Sequence, residues 1–200
     1  FADRIHKHGA KLMVQLSHIG RKMRWDLDPW LPPIAPSAIR EPYHRGHPKA
    51  MEDWDLRRVI KAYGQGARRA KEGGLDGFEF QCGFQNLIDS FWSPIANART
   101  DKYGGSLENR MRFVTEILAE SRKQVGDDFI IGIRMSGDEM LEGGLSHKDC
   151  LEIARYLAKT GMVDFFDVIG GAMYDYRGIS ISMATMPLPA APFLSLASAV

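Results

Sequence analysis

Cysteine is scarce in this chain of 200 residues: there are two, Cys82 and Cys150. Two thiols make no disulfide framework, so a reducing cytoplasm is the expected compartment. An iron–sulfur cluster takes about four thiolates, so none is expected within this chain. An excess of charge of one sign is lacking too. Lys plus Arg number 26 and Asp plus Glu 25, which gives no reason to expect a nucleic acid or an anionic membrane as partner. No apolar run approaches the roughly 20 residues of a spanning helix. The opening residues Phe1–His6 lack the charged-then-apolar layout of a signal peptide, and no initiator Met precedes them. The chain is therefore expected to begin inside a longer protein. Among the six histidines no pair has metal-ligand spacing with a carboxylate base, so no metal is expected. Glycine is plentiful, but neither G-x-G-x-x-G nor G-x-x-x-x-G-K occurs, which removes two familiar phosphate-cradling loops.

What is present is an alternation of apolar runs and helical patterns. Lys11–Leu16, Asp76–Cys82, Phe129–Met135 and Asp164–Ile169 read as strands. After a short opening helix and the first strand, residues 17–52 form a long connection rich in Pro, Trp and Arg, a length that usually signals a functional cover. Asp53 is placed to cap a helix to about Glu72, with Leu56, Val59, Ile60, Tyr63, Ala67 and Ala70 on one face. A second helix, from Ser106 to about Val125, carries Leu107, Met111, Val114, Leu118 and Val125 along one side. Ser146 and Asp149 have the spacing of a capping box and open a third, ending at Gly161. Continuous apolar strands alternating with helices mean an α/β fold with a parallel sheet under helices. Four such units are about half of an eight-unit barrel, which typically takes ~250 residues. An open doubly wound sheet fits the alternation equally well.

The run Asn97–Arg112, N-A-R-T-D-K-Y-G-G-S-L-E-N-R-M-R, is the densest text in the chain. Gly104-Gly105 supply backbone freedom, Ser106 suits an N-cap, and Glu108 falls in the first helical turn where the dipole favours an anion. Read on its own, this is a well-capped helix after a loop. The whole stretch resembles the loop-to-helix signature of the Old Yellow Enzyme family of FMN-dependent oxidoreductases, also called NADH:flavin oxidoreductases. That resemblance decides for the barrel. It implies that residues 1–200 are a fragment of one FMN-binding (β/α)8 domain, a partial TIM barrel of about its central four units. The first two and last two strands would lie outside the chain.

In such a barrel the working side chains come from the C-terminal ends of strands. Gln15 closes the first, in Gln15-Leu16-Ser17-His18-Ile19-Gly20-Arg21, which resembles the family's Q-L-x-H-x-G-R. The resemblance implies that Gln15 meets the pyrimidine edge of the flavin, a task an amide suits by donating and accepting in one plane; a Gln satisfied by backbone is the bland alternative. Arg134 closes the third strand, and a charge ending an apolar run must be paired or face a ligand. The resemblance assigns it to flavin N1 and C2=O; the alternative is a salt bridge inside the barrel. His18 either faces the site as a substrate contact or only orders its loop. His44, His47 and His147 read as surface residues. Arg99, Arg110 and Arg112 read mainly as structural partners of their loop.

After the second strand the chain departs from the ene-reductases of the family. These carry His-x-x-His or His-x-x-Asn to hold a substrate oxygen, often with a Tyr proton donor two positions on. Aligned through Asp76–Glu79 and Phe91–Pro94, this chain has Gln81, Phe84 and Asn86 there. Gln and Phe cannot build a paired oxyanion clamp. Phe84, with Tyr174, Tyr176, Trp25 and Trp30 in loops that could reach it, suits an alkylated amine, since aromatic faces attract cations. Simple packing is the alternative reading of each loop aromatic. This points toward the trimethylamine and dimethylamine dehydrogenase and N-methyl amino acid demethylase side of the family.

The expected function is therefore hydride removal from a carbon beside an amine nitrogen, with FMN as cofactor and NAD(P)H or an electron-transfer protein as redox partner. Gln81 and Tyr174 are the expected catalytic residues, Gln15 and Arg134 bind cofactor, and Phe84, Asn86, His18 and Tyr176 bind substrate. A carboxylate on the substrate would need Arg24, Arg40 or Arg177. The alternatives are an NAD(P)H-dependent ene-reductase of α,β-unsaturated carbonyl compounds, with Gln81 as oxygen donor and Tyr174 or Tyr176 as acid, and a non-catalytic truncated half-barrel. The partner is a small molecule; sequence alone sets no oligomeric state.

Overall fold

The computed structural model describes residues 1–23, 32–183 and 188–200. Helix α1 (Ala2–His6) leads into strand β1 (Met13–Leu16) and a 3-10 turn at Gly20–Lys22. Two short strands follow, β2 (Ile34–Ala35) and β3 (Lys49–Ala50), then helix α2 (Asp53–Glu72) and strand β4 (Gly77–Cys82). Helices α3 (Leu87–Trp92) and α4 (Leu107–Val125) precede β5 (Ile130–Ser136). Helix α5 (His147–Lys159), strand β6 (Phe165–Ile169) and helices α6 (Tyr176–Ser182) and α7 (Leu194–Ala197) complete the order. No helix among the described residues is long and apolar enough to cross a membrane.

The four expected strands form one parallel sheet in the order β1-β4-β5-β6. Strand order follows chain order without reversal. A doubly wound sheet reverses at a switch point, whereas a barrel adds each strand beside the last, so the singly wound reading holds. Phe78, Phe80 and Cys82 of β4 and Ile131, Ile133 and Met135 of β5 are 0–1% exposed, in the same core as Leu56, Val59 and Tyr63 of α2 and Met111, Val114 and Leu118 of α4. Because side chains alternate across a strand, the other face belongs to Gln15, Glu79, Gln81, Arg134 and Asp167. A Cβ at Gly132 would collide with the Phe165 ring, so Gly132 leaves that ring its room.

The helices start almost as read. Ser106 accepts the Asn109 N–H, and Ser146 with Asp149 closes a capping box. The exception is α2: its N-cap is Glu52, in a reciprocal box with Asp55, and Asp53 is the first helical residue. The long connection also holds more structure than expected, because β2 and β3 pair in parallel.

The Asn97–Arg112 signature holds that connection in place. The Arg99 guanidinium pairs with Asp101 and donates through Nη1 to the carbonyls of Pro36 (2.9 Å) and Met51 (2.7 Å). Asn97 Nδ2 donates to the carbonyls of Phe91 (2.7 Å) and Tyr103 (2.9 Å). A Cβ at Gly104 would run into the Arg99 backbone, and Gly105 takes a left-handed φ of 78°. Arg110 donates to the Trp92 carbonyl and Arg112 to that of Lys102, so all three arginines serve the loop. Arg99→Ala removes two carbonyl contacts made by a charge and should lower stability by about 2–3 kcal/mol in denaturant titration; a loss under ~1 kcal/mol would show that the clamp is redundant.

Candidate active site

The face of the sheet turned away from the helices carries two polar rows. In the lower row Gln15 pairs in register with Glu79, beside Gly132 and Phe165. Gln15 is exposed and its Nε2 donates to Glu79 Oε1 at 2.6 Å, so its partner is a side chain and not the backbone. In the upper row Gln81, Arg134 and Asp167 stand side by side. Arg134 Nη1 lies 3.0 Å from Asp167 Oδ2, both side chains being about one-third exposed, a setting in which an ion pair adds little stability. Arg134 Nε, by contrast, is buried with no hydrogen-bond partner. The salt bridge therefore leaves one donor of this guanidinium unspent. Gln81 is buried, and its Oε1 accepts the Gly83 N–H at 3.1 Å, leaving the amino end of the amide to donate.

The turn after β4 carries Phe84, which is half-buried. Phe84 and Gln85 both take left-handed backbone angles, φ 66° and 64°. For residues other than glycine such conformations cost of order 1–3 kcal/mol each and persist only where the surroundings impose them. Here buried charges impose them. Lys22 Nζ donates to the Phe84 carbonyl (2.8 Å), and the Gln85 N–H donates to Asp89 Oδ2 (2.6 Å). Gln85 Oε1 accepts from Arg21 Nη2 (2.7 Å), while its Nε2 donates to Glu139. Glu139 also accepts from Ser93 Oγ and the Leu145 N–H. Arg21, Lys22, Glu41, Gln85, Asp89 and Glu139 are all buried.

Burial shifts the titration of this set. It lowers the Arg21 guanidinium, which Tyr174 and the acids Glu41, Asp89 and Glu139 oppose, and it lowers Lys22 against the pull of Asp89 and Glu41. Burial raises Glu139 despite its three donors. Asp89 is pushed up to about 7, by burial first; Lys22 opposes the rise and Glu139 adds to it.

The other expected residues scatter. Tyr174 is half-buried with the Arg21 guanidinium 5.7 Å from its ring centre, which puts it beside the Phe84 turn's own supports. Asn86 is buried at the N-cap position of α3, with no side-chain cap bond. Tyr176 is 83% exposed, edge-on to Tyr43 with ring centroids 5.6 Å apart. His18 is not brought to this face. Its Nδ1 accepts the Gly20 N–H at 3.0 Å, and it lines a cavity of about 160 Å3 with Leu16, Val59 and Tyr63 on the α2 side of the sheet. Burial, then Arg58, holds its ring below the usual histidine range. The loop-ordering alternative describes that placement. His147 is half-buried and bonds the Gly137 carbonyl, while His44 and His47 are on the surface as expected. Arg40 bonds the Arg45 carbonyl and Arg177 is exposed; neither is drawn toward Phe84 by any bond. Trp25, Trp30 and Arg24 lie outside the described residues.

Residues 1–181 match the NADH:flavin oxidoreductase / NADH oxidase family. The chain belongs to that family. Within this flavin oxidoreductase family it is 50% identical, over its whole length, to the N,N-dimethylglycine/sarcosine dehydrogenase of Chromohalobacter salexigens, of which it covers 29%. It is 48% identical to a multifunctional alkene reductase/demethylase of Caballeronia cordobensis, again over all of this chain and 29% of that protein. Among solved structures, 2-naphthoyl-CoA reductase in complex with 2-naphthoyl-CoA superposes on 98% of this chain and 31% of its own, with a TM-score of 0.88 and 31% identity. The chain thus spans under a third of the length of these relatives.

Arg21, Lys22, Gln85, Asp89 and Glu139 were not singled out from the sequence. A signal existed: Asp89 interrupts the apolar run Leu87-Ile88-Asp89-Ser90-Phe91-Trp92, the same anomaly that drew attention to Arg134. An acid whose folded value is raised from 3.8 to about 7 favours the fold most at low pH and loses that contribution as pH rises through 7. Asparagine does not titrate. Asp89→Asn should therefore gain in melting temperature relative to wild type between pH 5 and pH 8. No relative gain across that range would mean that Asp89 is already ionised at pH 5 in the folded protein, held by Lys22.

Proposed function

We propose that this chain provides the substrate-facing part of an FMN-dependent oxidoreductase that demethylates an N-methylated amine or amino acid. The observation that carries the reading is Phe84. By alignment it takes the place of an oxygen-holding residue of the ene-reductases, three residues after Gln81, on a turn held by four buried side chains, Arg21, Lys22, Asp89 and Glu139. An aromatic face there attracts a methylated ammonium and offers nothing to a carbonyl oxygen. The likeness to a dimethylglycine/sarcosine dehydrogenase supports the same chemistry.

The inner face suits the flavin. Arg134 carries a buried, unpartnered Nε, a donor that an acceptor-rich ring edge would satisfy, and its fixed positive charge favours electron density there. Gln15 adds an amide one row below. FMN, when bound, supplies the acceptor for the hydride equivalent. The chain's own part is to hold the N-methyl carbon still and dry: Phe84 against the methyl groups, Gln81 through its free amino end, and Tyr174 at the side of the turn. Loss of hydride leaves an iminium, water adds to its carbon, and aldehyde and demethylated amine separate. A second reading, reduction of an activated alkene with NAD(P)H, draws support from the alkene reductase/demethylase relative; Gln81 would then donate to the carbonyl oxygen and Tyr174 would supply the proton.

Anaerobic flavin bleaching separates the two. N-methylated amino acids should bleach the FMN-loaded protein without NAD(P)H, and bleaching by NAD(P)H alone would reject the amine reading. Phe84→Ala should lower kcat/KM for the amine about 2- to 30-fold, the loss of one cation–π contact. Arg134→Ala should weaken FMN binding in equilibrium dialysis, and unchanged affinity would remove Arg134 from the cofactor site.

A further inference from the structure

Phe84–Gln85 is the one pair of consecutive non-glycine residues with left-handed backbones among the described residues; Arg45, Met140 and Ala191 are isolated cases. Gln85 is 1% exposed, so it cannot itself touch a substrate. Yet three of its polar groups are bound, each by a different element. Its N–H goes to Asp89 of α3, its amide oxygen to Arg21 in the turn after β1, and its amide nitrogen to Glu139 after β5. Only a primary amide satisfies that pair of side-chain partners. A carboxylate would accept from Arg21 but repel Glu139, and an apolar side chain would leave both charges short of a buried partner. Arg21 in turn packs over Tyr174 in the loop after β6. One buried amide therefore ties the loops of four successive strands to the residue that follows Phe84.

We propose that Gln85 is the positioning residue of the substrate pocket: it fixes where the Phe84 ring stands and thereby which N-alkyl group the pocket accepts. The proposal rests on the reading of Phe84 as a pocket residue and adds the device that aims it. Strained backbone at a pocket wall, imposed by residues that never meet the ligand, is how a fold keeps a ring from relaxing toward the turn's cheaper conformations.

The test is Gln85→Gly in the FMN-loaded protein. Glycine takes φ near 64° without strain, so any loss traces to the missing amide. Trimethylglycine is the binding probe, since its quaternary nitrogen has no lone pair to expel a hydride. Its calorimetric Kd, and KM for N-methyl and N,N-dimethyl amino acids, should rise roughly ten- to a hundred-fold, the cost of sub-ångström misplacement. FMN should stay bound, kcat should change far less than KM, and the preference between the two substrates should shift. Gln85→Asn, which tolerates the left-handed backbone but falls short of both partners, should do the same. Wild-type affinity and preference in either variant overturns the proposal. So does loss of FMN and of the folded state in both, which would make Gln85 structural only. Phe84→Ala is the control for the underlying reading. If it too binds trimethylglycine normally, that reading falls and this proposal with it; if it binds weakly while Gln85→Gly binds normally, only the positioning role falls.

Discussion

Charge buried at the C-terminal end of the sheet is the constraint on which the rest of this molecule depends. Arg21, Lys22, Glu41, Asp89 and Glu139 are withdrawn from water at positions scattered over 119 residues of sequence, 21 to 139. Each alone would be prohibitively expensive in that environment, so the elements carrying them have one acceptable relative arrangement. Apolar packing between sheet and helices is permissive by comparison: many pairings of Phe78, Ile131 and Met111 with their neighbours would bury similar area. The ionic set is what makes the site end of the fold unique.

That uniqueness is used on the neighbouring backbone. A turn with two left-handed non-glycine residues lies uphill from ordinary turns, and Lys22, Arg21, Asp89 and Glu139 hold it by direct bonds to Phe84 and Gln85. The charges are buried, whereas Phe84 is half-buried.

The strands were legible because they are continuous apolar runs stopped by Gly or Asp, and α2 and α4 because their apolar residues recur at helical spacing. Gln15, Gln81 and Arg134 were picked out by their places at strand ends together with the family resemblance, and the register sets Gln81 beside Arg134. Helix α3 was missed for a physical reason: it is buried on every side and so shows no amphipathic stripe. Strands β2 and β3 are two residues each, too short to carry a period. His18 was ambiguous because it stands just past the end of β1, where alternation no longer determines direction. The partners of Gln85 come from three separate segments, and no local pattern announces a contact across 54 or 64 residues.

The Arg99 clamp also says something about the order in which this chain becomes a protein. Its two carbonyl partners lie 63 and 48 residues upstream. The small β2–β3 sheet, which Lys49 also ties to Asp55 of α2, therefore gains this clamp only once the loop before α4 exists, after the entropy of closing so long a segment has been met. Contacts within the helices are local, whereas the clamp on the connection over residues 32–52 spans 48 and 63 residues of sequence. Opening this connection would therefore break the Arg99 bonds and expose Ile34 and Met51 of the core together.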